Sequence, residues 1–371
     1  MSATAAPAPR RAPGAPAAGD VPRIVAWELT RRCELRCRHC RGASCDRDYA
    51  GELTTDECRS VIDHLAAFVR PMLILTGGEP LMRPDVFDIA AHASARGLTC
   101  VLATCGHAFG PGTPARLKAA GIRALSLSFD GPDAASHDAF RGVAGAFDRT
   151  LRAAALLRAE GLPFQVNTTL TRLNACRLPE ILSFAAGLGA MTLDVFFLVP
   201  TGRGGGLRDL ELPPDRQEDV LRWIVRESAR SPIRLRTTCA PHMARVRRPL
   251  AAAEGVAPVE AAERRGHGLS SGCLAGREFV FVSHTGILQP CGFLDVPCGD
   301  LRALHWDFGR AYRESAVFAA LRRVDDYGGA CGRCEYRRAC GGCRARAHAR
   351  AGDYLAEEPS CGYEPRTDRH G

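Results

Sequence analysis

Cys33-Glu-Leu-Arg-Cys37-Arg-His-Cys40 places three thiols in one short loop, spaced C-x3-C-x2-C. A closed zinc site takes four protein ligands, usually from paired C-x2-C units. Three clustered thiolates leave one position open, and an iron–sulfur cluster held by three cysteines has one iron free to bind something else. A zinc knuckle completed by a distant fourth ligand is the alternative. Upstream, residues 24–29 (IVAWEL) read as a buried strand, so the thiols lie just past its C-terminal end. Downstream, strand and helix signals alternate. Strands are predicted at 72–75, 99–103, 124–129, 163–170 and 193–199. Helices are predicted to open at Thr54, whose spacing to Glu57 is that of a capping box, and to span 85–95, 146–160, 179–188 and 215–227. Six β/α units in about 180 residues imply a parallel sheet, open or curled into a partial barrel. Such sheets carry their chemistry on loops beyond the strand C-terminal ends. Cys33–Cys40, Gly77-Gly-Glu-Pro80 and the Asp130 region all fall there.

The whole chain fits that frame. Its 371 residues are 46% hydrophobic and 24% charged, which excludes bulk disorder and fibrous repeats. No apolar run approaches the roughly 20 residues that span a bilayer, so no membrane role is expected. Lys118 is the one lysine among 49 basic residues, and the net charge is +8. The arginines are scattered rather than gathered in a stripe, so no nucleic-acid partner is expected, although arginine forks suit carboxylates. Residues 1–21 are Ala/Pro-rich without a secretory core and are expected to be a tail on a cytoplasmic protein. Seventeen cysteines in a reducing compartment point to metal or cluster ligation rather than disulfides.

Eight of those cysteines lie between Cys273 and Cys361. They run Cys273-x12-Gly286-x4-Cys291, Cys298, Cys331-x2-Cys334-x5-Cys340-x2-Cys343, then Cys361, with a hairpin expected over 278–289. A zinc ribbon over 331–343 is one reading. Cys45, Cys58, Cys100 and Cys176 stand apart and read as packed or surface thiols.

The first cysteine motif together with Gly77-Gly-Glu-Pro80 resembles the radical S-adenosylmethionine (radical SAM) superfamily. The resemblance implies an α/β fold: a partial (β/α)6 barrel over 22–230, a bridging segment over 231–272, and a small cysteine-rich module over 273–371 of the SPASM type. It implies a [4Fe–4S] cluster on Cys33, Cys37 and Cys40, with SAM at its open iron. Gly77, Gly78 and Glu79 would hold the SAM amino group, Ser128 and Asp130 the ribose, Arg141 the carboxylate, and His39 would sit near adenine. Thr104-Cys105-Gly106 departs from the Thr-Asn-Gly common in relatives, which puts an amide contact there in doubt. The SPASM resemblance implies one or two auxiliary [4Fe–4S] clusters. One would use Cys331, Cys334, Cys340 and Cys361. The other would use Cys273, Cys291 and Cys343, with Cys298 as the nearest fourth ligand and Cys239 as the next.

Longer strings, including HDAFRGVAGAF, FFLVPTGRG, TTCAPH and GDYLAEEPSCGYEP, are similar to the tetrapyrrole-modifying branch, and within it to the heme b synthases. This resemblance implies an iron-tetrapyrrole substrate, iron-coproporphyrin III, whose two propionates are decarboxylated to vinyl groups. It also implies a low-potential donor such as ferredoxin or flavodoxin. Sibling tetrapyrrole enzymes and SPASM peptide maturases are the alternatives. Arg203 and His242 are the candidate substrate contacts, for a propionate and for the iron.

Overall fold

The computed structural model describes residues 21–254 and 272–366. The expected tail, but for residue 21, and part of the bridging segment lie outside them. Among the described residues, ten strands form one sheet: β1 (Ile24–Glu28), β2 (Met72–Thr76), β3 (Thr99–Ala103), β4 (Ile122–Ser128), β5 (Phe164–Leu170), β6 (Thr192–Phe197), β7 (Arg234–Thr238), β8 (Phe279–Val282), β9 (Ile287–Gln289) and β10 (Gly299–Asp300). Their order is β10-β9-β8-β1-β2-β3-β4-β5-β6-β7. β1 to β7 pair in parallel with their sequence neighbours.

Side-chain alternation separates two faces. On β5, Phe164, Val166 and Leu170 are buried, while Gln165, Asn167 and Thr169 are half-buried on the other face. β4 repeats this with Leu125 and Leu127 against Ser126 and Ser128. The apolar face packs on helices, among them Thr55–Phe68 through Val61, Ile62 and Leu65, and Ala146–Glu160 through Ala153, Ala154 and Leu157. The first of these opens with the expected capping box. Thr54 Oγ1 accepts from Glu57 N at 3.3 Å, and Glu57 Oε2 accepts from Thr54 N at 2.8 Å.

Two features redraw the expected boundaries. β7 lies inside the supposed bridging segment and pairs in parallel with β6. Its sequence, Arg234-Leu-Arg-Thr-Thr238, has a single apolar residue and so shows no hydrophobic run. After it, residues 243–254 are helical. The hairpin β8–β9 forms where expected, with Phe281 opposite Gln289. Yet β8 also pairs in parallel with β1, Ile24 opposite Phe279. The cysteine-rich region is therefore hydrogen-bonded into the sheet rather than standing beside it.

Candidate active site

The loop after β1 carries Cys33, Cys37 and Cys40. Cys33 and Cys37 are buried and pack with Cys105, with Cys40 beside them. The loop supplies part of its own order: Leu35 N donates to Cys33 Sγ at 3.4 Å and Ser44 N to Cys40 Sγ at 3.4 Å. Arg141 Nη1 donates to Cys37 Sγ at 3.6 Å. Burial pushes the Cys37 thiol up to about 11. A buried all-sulfur donor set of this kind, costly to ionise alone, suits a metal centre that takes up the thiolate charge.

The turn after β2 lies against this loop. A Cβ on Gly77 would fall 2.4 Å from Thr30 O, and one on Gly78 would fall 2.4 Å from Arg32 O. Both glycines thus let the turn contact the cysteine loop backbone to backbone, with Gly78 N and Glu79 N each 2.8 Å from a loop carbonyl. Glu79 is fully buried. Its carboxylate accepts from Thr104 Oγ1 at 2.8 Å, Cys105 N at 2.7 Å and Leu81 N at 3.0 Å. Burial raises its pKa despite these bonds. Among the described residues no basic side chain pairs with it. An ammonium group is the partner that such a carboxylate fits. Thr104 and Cys105, which the sequence marked only as a departure from Thr-Asn-Gly, are parts of the site. Cys105 holds Glu79 through its backbone and packs against Cys33.

Across the mouth, Asp130 follows β4. Its Oδ1 accepts from Thr169 N at 2.8 Å, and its Oδ2 lies 2.7 Å from Arg141 Nη2. Burial alone would raise its pKa, but the Arg141 guanidinium, His39, His137 and the Thr169 N–H together outweigh that and lower it. His39 stacks on Phe140 at 4.4 Å, with Nε2 3.8 Å from Asp130. Burial depresses His39 to about 4, so it is neutral. His39 Nδ1 and Arg141 Nε are buried without a hydrogen-bond partner. These two polar atoms match a polar ligand such as SAM. Ser128 ends β4 beside Asn167.

Arg203 lies against the cysteine loop. Its Nε donates to Cys37 O at 2.8 Å and its Nη1 to Ser44 O at 2.7 Å. Its Nη2 is buried without a hydrogen-bond partner, while the first two nitrogens clamp the loop. Gly202 permits this at φ +55, since a Cβ there would lie 2.1 Å from Arg41 O.

The C-terminal thiols sort into two groups. Cys331, Cys334, Cys340 and Cys361 line a cavity of about 830 Å³. Cys343 and Cys291 pack with Cys239, and Cys273 lies within the same electrostatic group. Cys298 is not among them. Its N donates to Leu288 O at 2.8 Å, fixing it to β9, and its thiol faces Val296 O at 3.4 Å and Ser315. Cys239, the second choice by sequence, takes that place at the end of β7, with φ at +60. That left-handed conformation costs a non-glycine residue about 1 kcal/mol or more and tends to occur at functional positions. Among the described residues no three His, Cys, Asp or Glu side chains converge on a single-ion site, whereas a cavity ringed by four thiols suits a larger group.

Arg346 and Glu358 lie between the two groups, paired at 3.1 Å and fully buried. Glu358 Oε2 accepts from Cys343 N at 2.6 Å, while Glu358 N donates to Cys331 Sγ at 3.2 Å. His242 borders the cavity of the Cys331 group rather than the barrel mouth. Cys58 and Cys100 are core residues, Cys45 contacts Tyr49, and Cys176 is exposed.

Residues 27–185 match the model of the radical SAM superfamily. The chain is 44% identical over 344 residues to the AdoMet-dependent heme synthase of Nitratidesulfovibrio vulgaris, covering 93% of each. It is 46% identical to that of Methanosarcina barkeri, covering 93% of this chain and 98% of the relative. This chain belongs to the AdoMet-dependent heme synthase family of radical SAM enzymes. Its radical SAM fold also superimposes on Streptococcus suis SuiB bound to S-adenosylmethionine, with a TM-score of 0.72 at 15% identity, covering 93% of this chain and 78% of the other. Membership in the radical SAM superfamily brings a [4Fe–4S] cluster and SAM as the working cofactors, and no described helix is long and apolar enough to cross a membrane.

Proposed function

We propose that the chain makes heme b from iron-coproporphyrin III by oxidative decarboxylation of two propionates, one after the other. Identity of 44% and 46% to AdoMet-dependent heme synthases, each along nearly the whole length, is the observation that carries this reading. Held by Cys33, Cys37, Cys40 and Glu79, a [4Fe–4S] cluster and SAM would supply one-electron chemistry that removes a propionate β-hydrogen, so that loss of carbon dioxide, with one electron passed to an auxiliary cluster, would leave a vinyl group.

The chain's own residues do the rest. Cys33, Cys37 and Cys40 hold the cluster, and Arg203 keeps their loop closed. Glu79, fixed by Thr104, Cys105 and Leu81, receives the SAM ammonium. Gly77 and Gly78 bring that carboxylate to the loop. Asp130 and Ser128 face the ribose, Arg141 offers its Nε, and the neutral His39, braced by Phe140, lies toward the adenine. Burial of this mouth excludes water from the radical and fixes the approach of the β-carbon. Cys239, Cys273, Cys291 and Cys343 hold one auxiliary [4Fe–4S] cluster, and Cys331, Cys334, Cys340 and Cys361 hold a second. A low-potential ferredoxin or flavodoxin in the cytoplasm donates the electrons.

Anaerobic turnover with iron-coproporphyrin III, SAM and a strong reductant tests the reading. Two successive losses of about 46 Da, carbon dioxide plus two hydrogens each, are expected in the porphyrin. Intact porphyrin beside continuing SAM cleavage would reject the substrate.

A further inference from the structure

His242 has no task in the chemistry above, and its surroundings are unusual. It is 2% exposed. Both ring nitrogens are buried without a hydrogen-bond partner. Leaving a buried donor unsatisfied costs about 1–3 kcal/mol, so two idle ring nitrogens in one imidazole point to a group that meets at least one of them. The ring borders the cavity ringed by Cys331, Cys334, Cys340 and Cys361, and that cavity also reaches Arg245 and Glu358.

The backbone fixes the ring's place. His242 O accepts from Arg245 N and Val246 N, both at 3.0 Å, and so starts the Met243–Glu254 helix. Phe197 meets the imidazole edge-on at 6.2 Å. Three residues earlier, Cys239 turns through its left-handed conformation toward the other thiol group. The tetrapeptide Cys239-Ala-Pro-His242 thus places a thiol in one group and an imidazole at the border of the cavity lined by the other. An imidazole carries at least one N–H in either tautomer.

We propose that His242 donates a hydrogen bond to the iron–sulfur cluster held by Cys331, Cys334, Cys340 and Cys361, and thereby raises that cluster's reduction potential. This rests on the reading of that quartet as a cluster site. An N–H aimed at the sulfurs of an iron–sulfur centre favours its more negative, reduced form, and such bonds are a principal control of potential. His242 is therefore a positioning residue for an auxiliary cluster, not an axial ligand to the substrate iron.

The test uses full-length protein reconstituted anaerobically with iron and sulfide. Pulsed EPR of the reduced wild type, grown with 15N-histidine, should show a histidine nitrogen coupled to one auxiliary signal. In His242→Phe that coupling should vanish, and the potential of the same signal should shift to a more negative value at unchanged iron content. His242→Asn, which restores an N–H donor, should recover part of the shift. No histidine coupling in the wild type would overturn the proposal without any variant needing to fold. So would an unmoved potential in a fully loaded His242→Phe. Failure of the underlying reading shows separately: Cys334→Ala would then keep all the iron of the wild type.

Discussion

At the barrel mouth three thiols come from one loop, whereas the C-terminal groups draw theirs from five separate stretches of chain. The first arrangement is local. Its spacing is set by the loop's own backbone, with Leu35 and Ser44 each donating to a cysteine sulfur. The second depends on tertiary structure. Cys239 comes from the end of β7, Cys291 from beyond β9, and Cys343 and Cys331 are bridged by Glu358. A local site tolerates changes elsewhere. A composite site fails if the elements that carry it shift.

The sharpest break would come at Cys37. Cys37→Ala should lower 5′-deoxyadenosine formation by more than about 100-fold, beyond the range seen for residues that only support ligands. Retained cleavage would show that the loop is not the cluster site. Next comes the composite site. Cys239→Ala should lose about four irons per chain, one cluster's complement, while Cys298→Ala keeps them. Iron analysis after anaerobic reconstitution reads both, and the reverse result would restore Cys298 as ligand. Glu79→Gln keeps the shape and loses the charge, so SAM affinity should fall by about 10–100-fold, the value of a charge-assisted hydrogen bond. Equilibrium dialysis measures it, and unchanged affinity would free Glu79 of the ammonium.

The smallest effect joins the two regions. Glu57 caps the Thr55–Phe68 helix and pairs with Arg302 at 2.8 Å. Hydrogen bonding to Arg302 lowers the Glu57 pKa from 4.5 to about 2. A depressed carboxyl stabilises above its unfolded value and loses that contribution as pH falls through its folded value. Arg302→Ala should therefore cost about 0.5–1 kcal/mol at pH 7, discounted for the pair's exposure. In urea titrations the difference from wild type should close as pH drops from about 4.5 toward about 2.

Legibility followed the same divide between local and composite. The six strands of the barrel could be read because each is a short apolar run, as in β1, or has an apolar face with period two, as in β4 and β5, and the Cys33–Cys40 spacing needs no tertiary information. The Thr54–Glu57 capping box is equally local, and the structure contains it as read. β7 was hidden because its Arg and Thr side chains carry no apolar signal. Cys298 lies closest in sequence to Cys291 and was the natural fourth ligand, but pairing with β9 turns it away. Nothing in its neighbours' identities reveals that register. Arg203 looked like a carboxylate anchor because arginine is suited to one. Only the fold shows that its Nε and Nη1 already donate to backbone carbonyls of the cysteine loop.

The pairing of β8 with β1 also bears on how the chain is born. Ile24 meets Phe279, so the strand that leads into the catalytic loop keeps a bare edge until most of the polypeptide has left the ribosome. At roughly 5–20 residues per second this exposure lasts many seconds. An uncovered parallel edge invites pairing with other chains. Truncations that stop short of residue 279 should aggregate during expression even though every ligand of the first cluster is present.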